Sequence, residues 1–179
     1  GALLLLSSIF SYLSLSRLNQ EFNQYQSDTF KKGHAQFTIQ NDVLRQKLRT
    51  WLESFADIVR LKEHDDFTVL AQAFSAQFDT LQMNLNVENV WLVSAPNEKL
   101  YLSTPIPEFV QASINNVLEQ QQPEHSLYCE KQCLQLITVP VLNGRGDMAV
   151  VAMTVSLVDM IFYIGQALDI ELAMVRFSH

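Results

Sequence analysis

The sequence predicts an α+β fold, a long N-terminal helix packed on a five-stranded antiparallel sheet. Three observations predict it. Residues 17–61 contain no helix breaker except Gly33. After Asn84 the apolar period shortens from a helical one to a strand-like one, over "VENVWLVSA", "LYLST", "HSLYCEK", "CLQLITVPVLN" and "MAVVAMTVSL". Short turns join the first two runs to each other and the last three in succession, and short turns serve antiparallel partners, because parallel strands need long crossovers. The helices between and after the strands then cover the sheet.

The first residues, "GALLLLSSIFSYLSLS", carry no charge before Arg17. This apolar run falls short of the roughly 20 residues that span a bilayer. We read residues 1–18 as the end of a transmembrane helix. An amphipathic core helix is the alternative, kept open by five serines in the same run. There is no initiator Met, basic leader or small-x-small cleavage site, so a complete signal peptide is not expected.

Residues 19–62 are expected to be a stalk helix. Leu18, Phe22 and Tyr25 make a thin apolar stripe; Phe37, Leu44, Leu48, Trp51, Phe55 and Ile58 then recur on one helical face. A helix of some 40 residues is about 60 Å long, more than a small globule needs internally. It therefore reads as a stalk that pairs with a second copy in a homodimer before packing on a domain; a single unpaired helix is the other reading.

Residues 63–169 carry the sheet. In "EHDDFTVLAQAFSAQFDTLQMNL", Asp65 or Asp66 can cap a helix that lines up Phe67, Leu70, Ala71, Phe74, Phe78 and Leu81. His64 beside these aspartates is accounted for by the cap and its loop. "PNEK" is a turn between the first two strands. "PEFVQASINNVLEQQ" is a helix with Pro107 in its first turn. Arg145 and Asp147 belong to the turn before the last core strand. "VDMIFYIGQALD" closes the domain as a helix, and "IELAMVRF" reads as one further strand. Residues 170–179 are thus a connector or the start of a following module.

Charge is unevenly spread. Residues 1–62 are net +3 and the remainder net −10, within an overall −7. An acidic body opposes nucleic acid, which needs cations to displace counterions from phosphates. No phosphate loop, G-x-S-x-G elbow or paired zinc motif occurs, and Glu108 and Glu119 lack the spacing of an acid/base pair. An enzyme is not expected, nor a cofactor.

The two cysteines stand in "YCEKQC". Along one extended strand, Cys129 and Cys133 would be about 13 Å apart, too far for a disulfide. If Glu130–Gln132 instead form a hairpin loop, the two face each other at about 4.5 to 5.5 Å, within disulfide range. His125 adds a third potential metal ligand, but no second ligand pair accompanies it. The disulfide clasp is the expectation, beside free thiols and a metal site as alternatives. A clasp implies an oxidising compartment, which agrees with a membrane segment at the start.

This pattern of membrane helix, polar stalk and antiparallel sheet resembles the extracytoplasmic, PAS-like Cache sensor domains of bacterial receptors. The passage "YCEKQCLQLITVPVLNGRGDMAVVAMTVSL" followed by "GQALDIELAMV" is similar to the double-Cache class, with its C-x₃-C pair before a "PV" strand. The resemblance covers most of residues 20–178. It implies a periplasmic sensing domain, anchored in the inner membrane, that relays a signal to a cytoplasmic diguanylate cyclase, phosphodiesterase (cyclic-di-GMP signalling), kinase or chemotaxis output domain. The aromatic-Arg-aromatic and distal Asp pattern of amino-acid-binding relatives is missing, Trp91 having no neighbouring Arg, so neither amine nor amino-acid binding is carried over.

A small ligand is expected on the sheet face away from the stalk, near Phe109. The candidate ligand-binding residues are Trp91, Tyr101, Gln135, Thr138 and Thr154. Alternation puts Gln135 and Thr138 on opposite faces, so at most one of them serves. The competing reading is a structural dimerisation module that binds a protein partner and holds no small molecule. A polar-lined cavity favours sensing; a dry, filled sheet face favours the alternative.

Overall fold

The computed structural model describes the backbone of residues 2–168 and, within them, the side chains of 11–162 and 164–166. The strand expected over "IELAMVRF" lies outside the described residues. Two compact units are distinguished, residues 2–41 with 160–168 and residues 42–159.

The first unit holds most of helix α1 (Ala2–Ile58) and most of helix α4 (Val158–Leu168). Gly33 does not interrupt α1 and is buried, as is Ile164 in α4. Leu15, Leu18, Phe22, Tyr25 and Ile39 are exposed along α1. Among the described residues no helix is long and apolar enough to cross a membrane.

The second unit begins with the last turns of α1. Leu48, Leu52 and Phe55 recur at helical spacing and are buried. The helix stops where Arg60 turns left-handed, at φ 53°. A short 3₁₀ turn (Leu61–Glu63) leads to helix α2 (Thr68–Leu85). Phe67, rather than either aspartate, occupies the cap position of α2. Asp66 still serves the helix start, its Oδ1 accepting the Thr68 N–H at 3.0 Å. Asn86 ends α2 in the left-handed region, where its N–H donates to the Leu81 carbonyl.

Strands β1 (Val87–Ser94), β2 (Glu98–Leu102), β3 (Glu124–Cys129), β4 (Cys133–Leu142) and β5 (Met148–Ser156) form one antiparallel sheet in the order β2-β1-β5-β4-β3. Helix α3 (Glu108–Gln120) crosses between β2 and β3 in sequence. Its first turn is anchored on the Pro107 carbonyl, which accepts the N–H groups of Val110 and Gln111. This strand order, with helices over the sheet, is PAS-like.

Both faces of the sheet are covered, which explains why central β5 is apolar without alternation. On one face Val90, Leu92, Ile137, Val139, Val151 and Met153 meet Leu48, Leu52 and Phe55 of α1 and Leu70 and Phe74 of α2. On the other, Trp91, Val93, Leu136, Val150 and Ala152 meet Val110, Ile114 and Val117 of α3. Burying side chains of this size contributes about 1.5–3 kcal/mol each. On the first face an aromatic series runs from Trp51 through Phe55 and Phe74 to Tyr101, with centroids 4.7, 5.3 and 6.1 Å apart.

The β4–β5 turn is fixed from inside. Buried Asn143 accepts the N–H groups of Arg145 and Asp147 on its Oδ1 and donates from Nδ2 to the Asp65 carbonyl, at 3.0, 2.8 and 2.8 Å. Arg145 and Asp147 do belong to this turn, and they pair with each other at 3.5 Å.

Candidate ligand groove

The hairpin joining β3 and β4 borders a groove on the α3 face of the sheet. Cys129 and Cys133 are direct cross-strand partners joined by a disulfide, with Cα atoms 4.1 Å apart. The Cys133 carbonyl accepts from Leu157, on the side away from β3. This makes the pair a narrow, non-hydrogen-bonded one, where side chains approach most closely. The loop residues Glu130–Gln132 turn the chain as the hairpin reading requires. Among the described residues no three His, Cys, Asp or Glu gather as a metal site.

Three groove residues adjoin this disulfide. Tyr128, Glu130 and Leu134 form one wall of an open groove of about 600 Å³. The start of α3 supplies its N-cap Pro107 together with Glu108, Phe109 and Ala112 as the opposite wall, and Asn89, Trp91 and Thr154 form the floor. The Phe109 and Tyr128 rings stack across the groove, 3.9 Å between centroids and 2° from parallel.

The polar groups of the groove are largely committed within the protein. Trp91 Nε1 donates to the Thr104 carbonyl at 2.9 Å. Asn89 Oδ1 accepts from the hydroxyls of Ser103 and Thr104, and its Nδ2 points to Thr154 Oγ1 at 3.5 Å. The Tyr128 hydroxyl donates to Glu130 Oε2 at 3.2 Å.

Of the five residues expected to bind ligand, the structure brings two together, Trp91 and Thr154. Thr138 is on the same sheet face but sealed beneath α3. Its hydroxyl lies 2.8 Å from Ser113 Oγ, which also donates to Glu124 Oε2 at 3.0 Å. Tyr101 sits on the opposite face, against Phe74. The cause is a bulge in β2: Leu92 pairs with Tyr101 while Val93 pairs with Lys99, so Leu100 is an extra residue. Leu100 and Tyr101 both turn toward the α1/α2 core, where burial and then nearby Asp79 push the Tyr101 phenol pKa up. Gln135 also lies off the groove face. Its side-chain amide donates to the carbonyls of Ser126 and Leu136 at 2.9 and 3.1 Å.

Phe109, Tyr128 and Asn89 complete the groove and were not among the five. Tyr128 carried a signal in its place beside Cys129, since a clasped hairpin holds its neighbours still. Asn89 carried none, because its role depends on Ser103 and Thr104 reaching it from the next connection.

No family model matches this chain, and no curated protein sequence matches it. Solved structures similar to it include a sensory box sensor histidine kinase from Vibrio cholerae, at 12% identity and TM-score 0.34, over 48% of this chain and 94% of that one. The sensor domain of the zinc-responsive histidine kinase CzcS from Pseudomonas aeruginosa is similar at 15% identity and TM-score 0.34, over 60% and 94%. The ligand-binding domain of the Campylobacter jejuni chemoreceptor Tlp3, in complex with L-valine, is similar at 11% identity and TM-score 0.45, over 79% and 65%. The PAS-like description of this chain stands on its own strand order and layering.

Proposed function

We propose that this chain is the extracytoplasmic sensing segment of a membrane receptor, of the double-Cache type, and that its ligand occupies the groove between α3 and the β3–β4 hairpin. The observation that carries the reading is the convergence of Trp91 and Thr154 with Phe109 and Tyr128 on the sheet face opposite α1. A concave, mostly apolar site with a few placed polar groups is the ordinary form of a small-molecule pocket. The disulfide supports an oxidising compartment.

In this reading residues 1–18 are the end of the membrane helix and 19–62 the stalk. Leu15, Leu18, Phe22 and Tyr25 are exposed at alternating steps of three and four, the spacing of a coiled-coil seam. They would pair the stalk with a second copy. Ligand binding favours one arrangement of α3 on the sheet, and the sheet's other face carries that preference to Leu48, Leu52 and Phe55 of α1. A cytoplasmic output domain of cyclase, phosphodiesterase, kinase or chemotaxis type receives it. The segment itself performs no catalysis.

A thermal-shift screen of small metabolites against the wild type and Ala112→Trp tests the reading. Ala112 is an exposed groove residue, so the indole fills the groove without entering the core. Compounds that stabilise the wild type and not the variant support a groove ligand. Compounds that stabilise both equally place binding elsewhere and refute it.

A further inference from the structure

We infer that the Cys129–Cys133 bridge is a site of thiol–disulfide exchange, opened by a protein that carries a reduced dithiol, and that Cys129 is the sulfur attacked. The two residues are direct partners across the β3–β4 hairpin, so the S–S bond runs from one strand to the other. Exchange proceeds by in-line attack of a thiolate on one sulfur while the other leaves. Attack on Cys129 comes from beyond β3, the outermost strand of the sheet. Cys129 is half-buried there, beside the exposed loop of residues 130–132. Attack on Cys133 would have to come from the β5 side. On that side buried Leu157 donates its N–H to the Cys133 carbonyl, and Cys133 itself is only 8% exposed. One end of the bond is open to a partner and the other is closed.

The hairpin survives loss of this bond. Five further pairs, from Glu124↔Thr138 to Tyr128↔Leu134, keep β3 in register. What the bond holds is the hairpin's end. Cys129 and Cys133 form a narrow pair that exchanges no ladder hydrogen bond, so opening the bridge leaves Tyr128↔Leu134 as the last pair of the ladder. Such ends open most readily. Tyr128 stacks on Phe109, and Leu134 lines the same groove. Reduction therefore loosens the contact between the hairpin and the start of α3.

The step balances. A partner thiolate bonds to Cys129 Sγ as the Cys129–Cys133 bond breaks, and the expelled Cys133 thiolate takes a proton. Both cysteines of the chain are in the bridge, so the resolving thiol belongs to the partner. Once deprotonated, it attacks the partner's own sulfur in the mixed disulfide and expels Cys129 as a thiolate, which is protonated in turn. The chain gains two electrons and two protons, and the partner leaves with a disulfide.

The test mixes the oxidised 179-residue chain, in native buffer, with a thioredoxin whose second active-site cysteine is changed to serine, which traps the mixed disulfide. Peptide mapping after an acid quench is expected to find the thioredoxin on Cys129, roughly tenfold or more over Cys133. Unmodified thioredoxin is expected to reduce the bridge roughly tenfold or more faster than the chain unfolds globally. Hydrogen exchange of the reduced chain is expected to show a roughly tenfold loss of protection at residues 127–130 and at Phe109, with β5 unchanged. An adduct on Cys133, an adduct shared equally, or reduction no faster than unfolding overturns the exchange site. Unchanged protection at the hairpin and Phe109 overturns the loosening, and lost protection in β5 overturns it equally, by making the bridge a support of the whole sheet. Exchange at Cys129 needs no ligand in the groove, so these results stand or fall apart from the sensing reading.

Discussion

The rings of Phe109 and Tyr128 lie parallel with centroids 3.9 Å apart, so helix α3 and the β3–β4 hairpin meet through one aromatic stack. Removing one ring removes the stack and part of the local burial. Phe109→Ala is expected to lower unfolding stability by about 1–3 kcal/mol, while Phe109→Tyr retains most of it. Urea unfolding followed by far-ultraviolet circular dichroism measures both.

The clasp beneath that stack closes a loop of only a few residues. Loop-closure entropy assigns such a short bridge about 2 kcal/mol. Cys129→Ser/Cys133→Ser should lose that much, and dithiothreitol should shift the wild-type denaturant midpoint while leaving the double variant unmoved. A wild-type midpoint insensitive to reduction would show that the bridge constrains nothing that unfolding releases.

A different constraint holds the β4–β5 turn to the connector before α2. The Gly144 N–H donates to the His64 carbonyl at 2.8 Å, and a Cβ at residue 144 would lie 2.6 Å from the Lys62 carbonyl oxygen. Neither partner is a flexible side-chain end, so the backbone must move. Gly144→Ala is expected to destabilise by about 1–3 kcal/mol. Gly146→Ala meets no neighbour but sits at φ 84° and should cost about 1 kcal/mol. Thermal unfolding of the two variants separates steric collision from backbone preference.

Much of this was readable from local pattern. The helices and the five strands follow from apolar period, and the disulfide follows from reading Glu130–Gln132 as a loop. The boundary of β2 did not: "PNEK" looks like a complete turn, yet Glu98 already pairs with Ser94. Tyr101 illustrates the deeper limit. Simple alternation cannot anticipate the extra Leu100, and that one residue decides which face Tyr101 takes. Asn143 and Ser113 were equally silent, because their partners Asp65 and Thr138 come from distant parts of the chain and are chosen by packing.

On the α1 side of β3, Arg45 of α1 hydrogen-bonds to the His125 ring, while its guanidinium also pairs with Asp42. Burial first, then the Arg45 charge, lowers the His125 pKa below its usual 6.5, against smaller opposing effects of Asp42 and Glu124. The unfolded chain therefore binds this proton more readily than the folded one. The contribution to stability is complete above the unfolded value of 6.5 and is lost as pH falls through the lower folded value. His125 is exposed, so the effect is small. Nuclear magnetic resonance titration should give a His125 pKa below 6.5, rising in Arg45→Met.

Under the proposed sensing role, occupancy of the α3-side groove sets the output of the parent polypeptide. Its most direct measurement is the output of the full parent polypeptide carrying Ala112→Trp, across the concentration range of a stimulus that activates the wild type. A folded, membrane-inserted variant is expected, with its response abolished or displaced by roughly tenfold or more in stimulus concentration. A dose–response curve superimposable on the wild type's, with the groove filled, would contradict it.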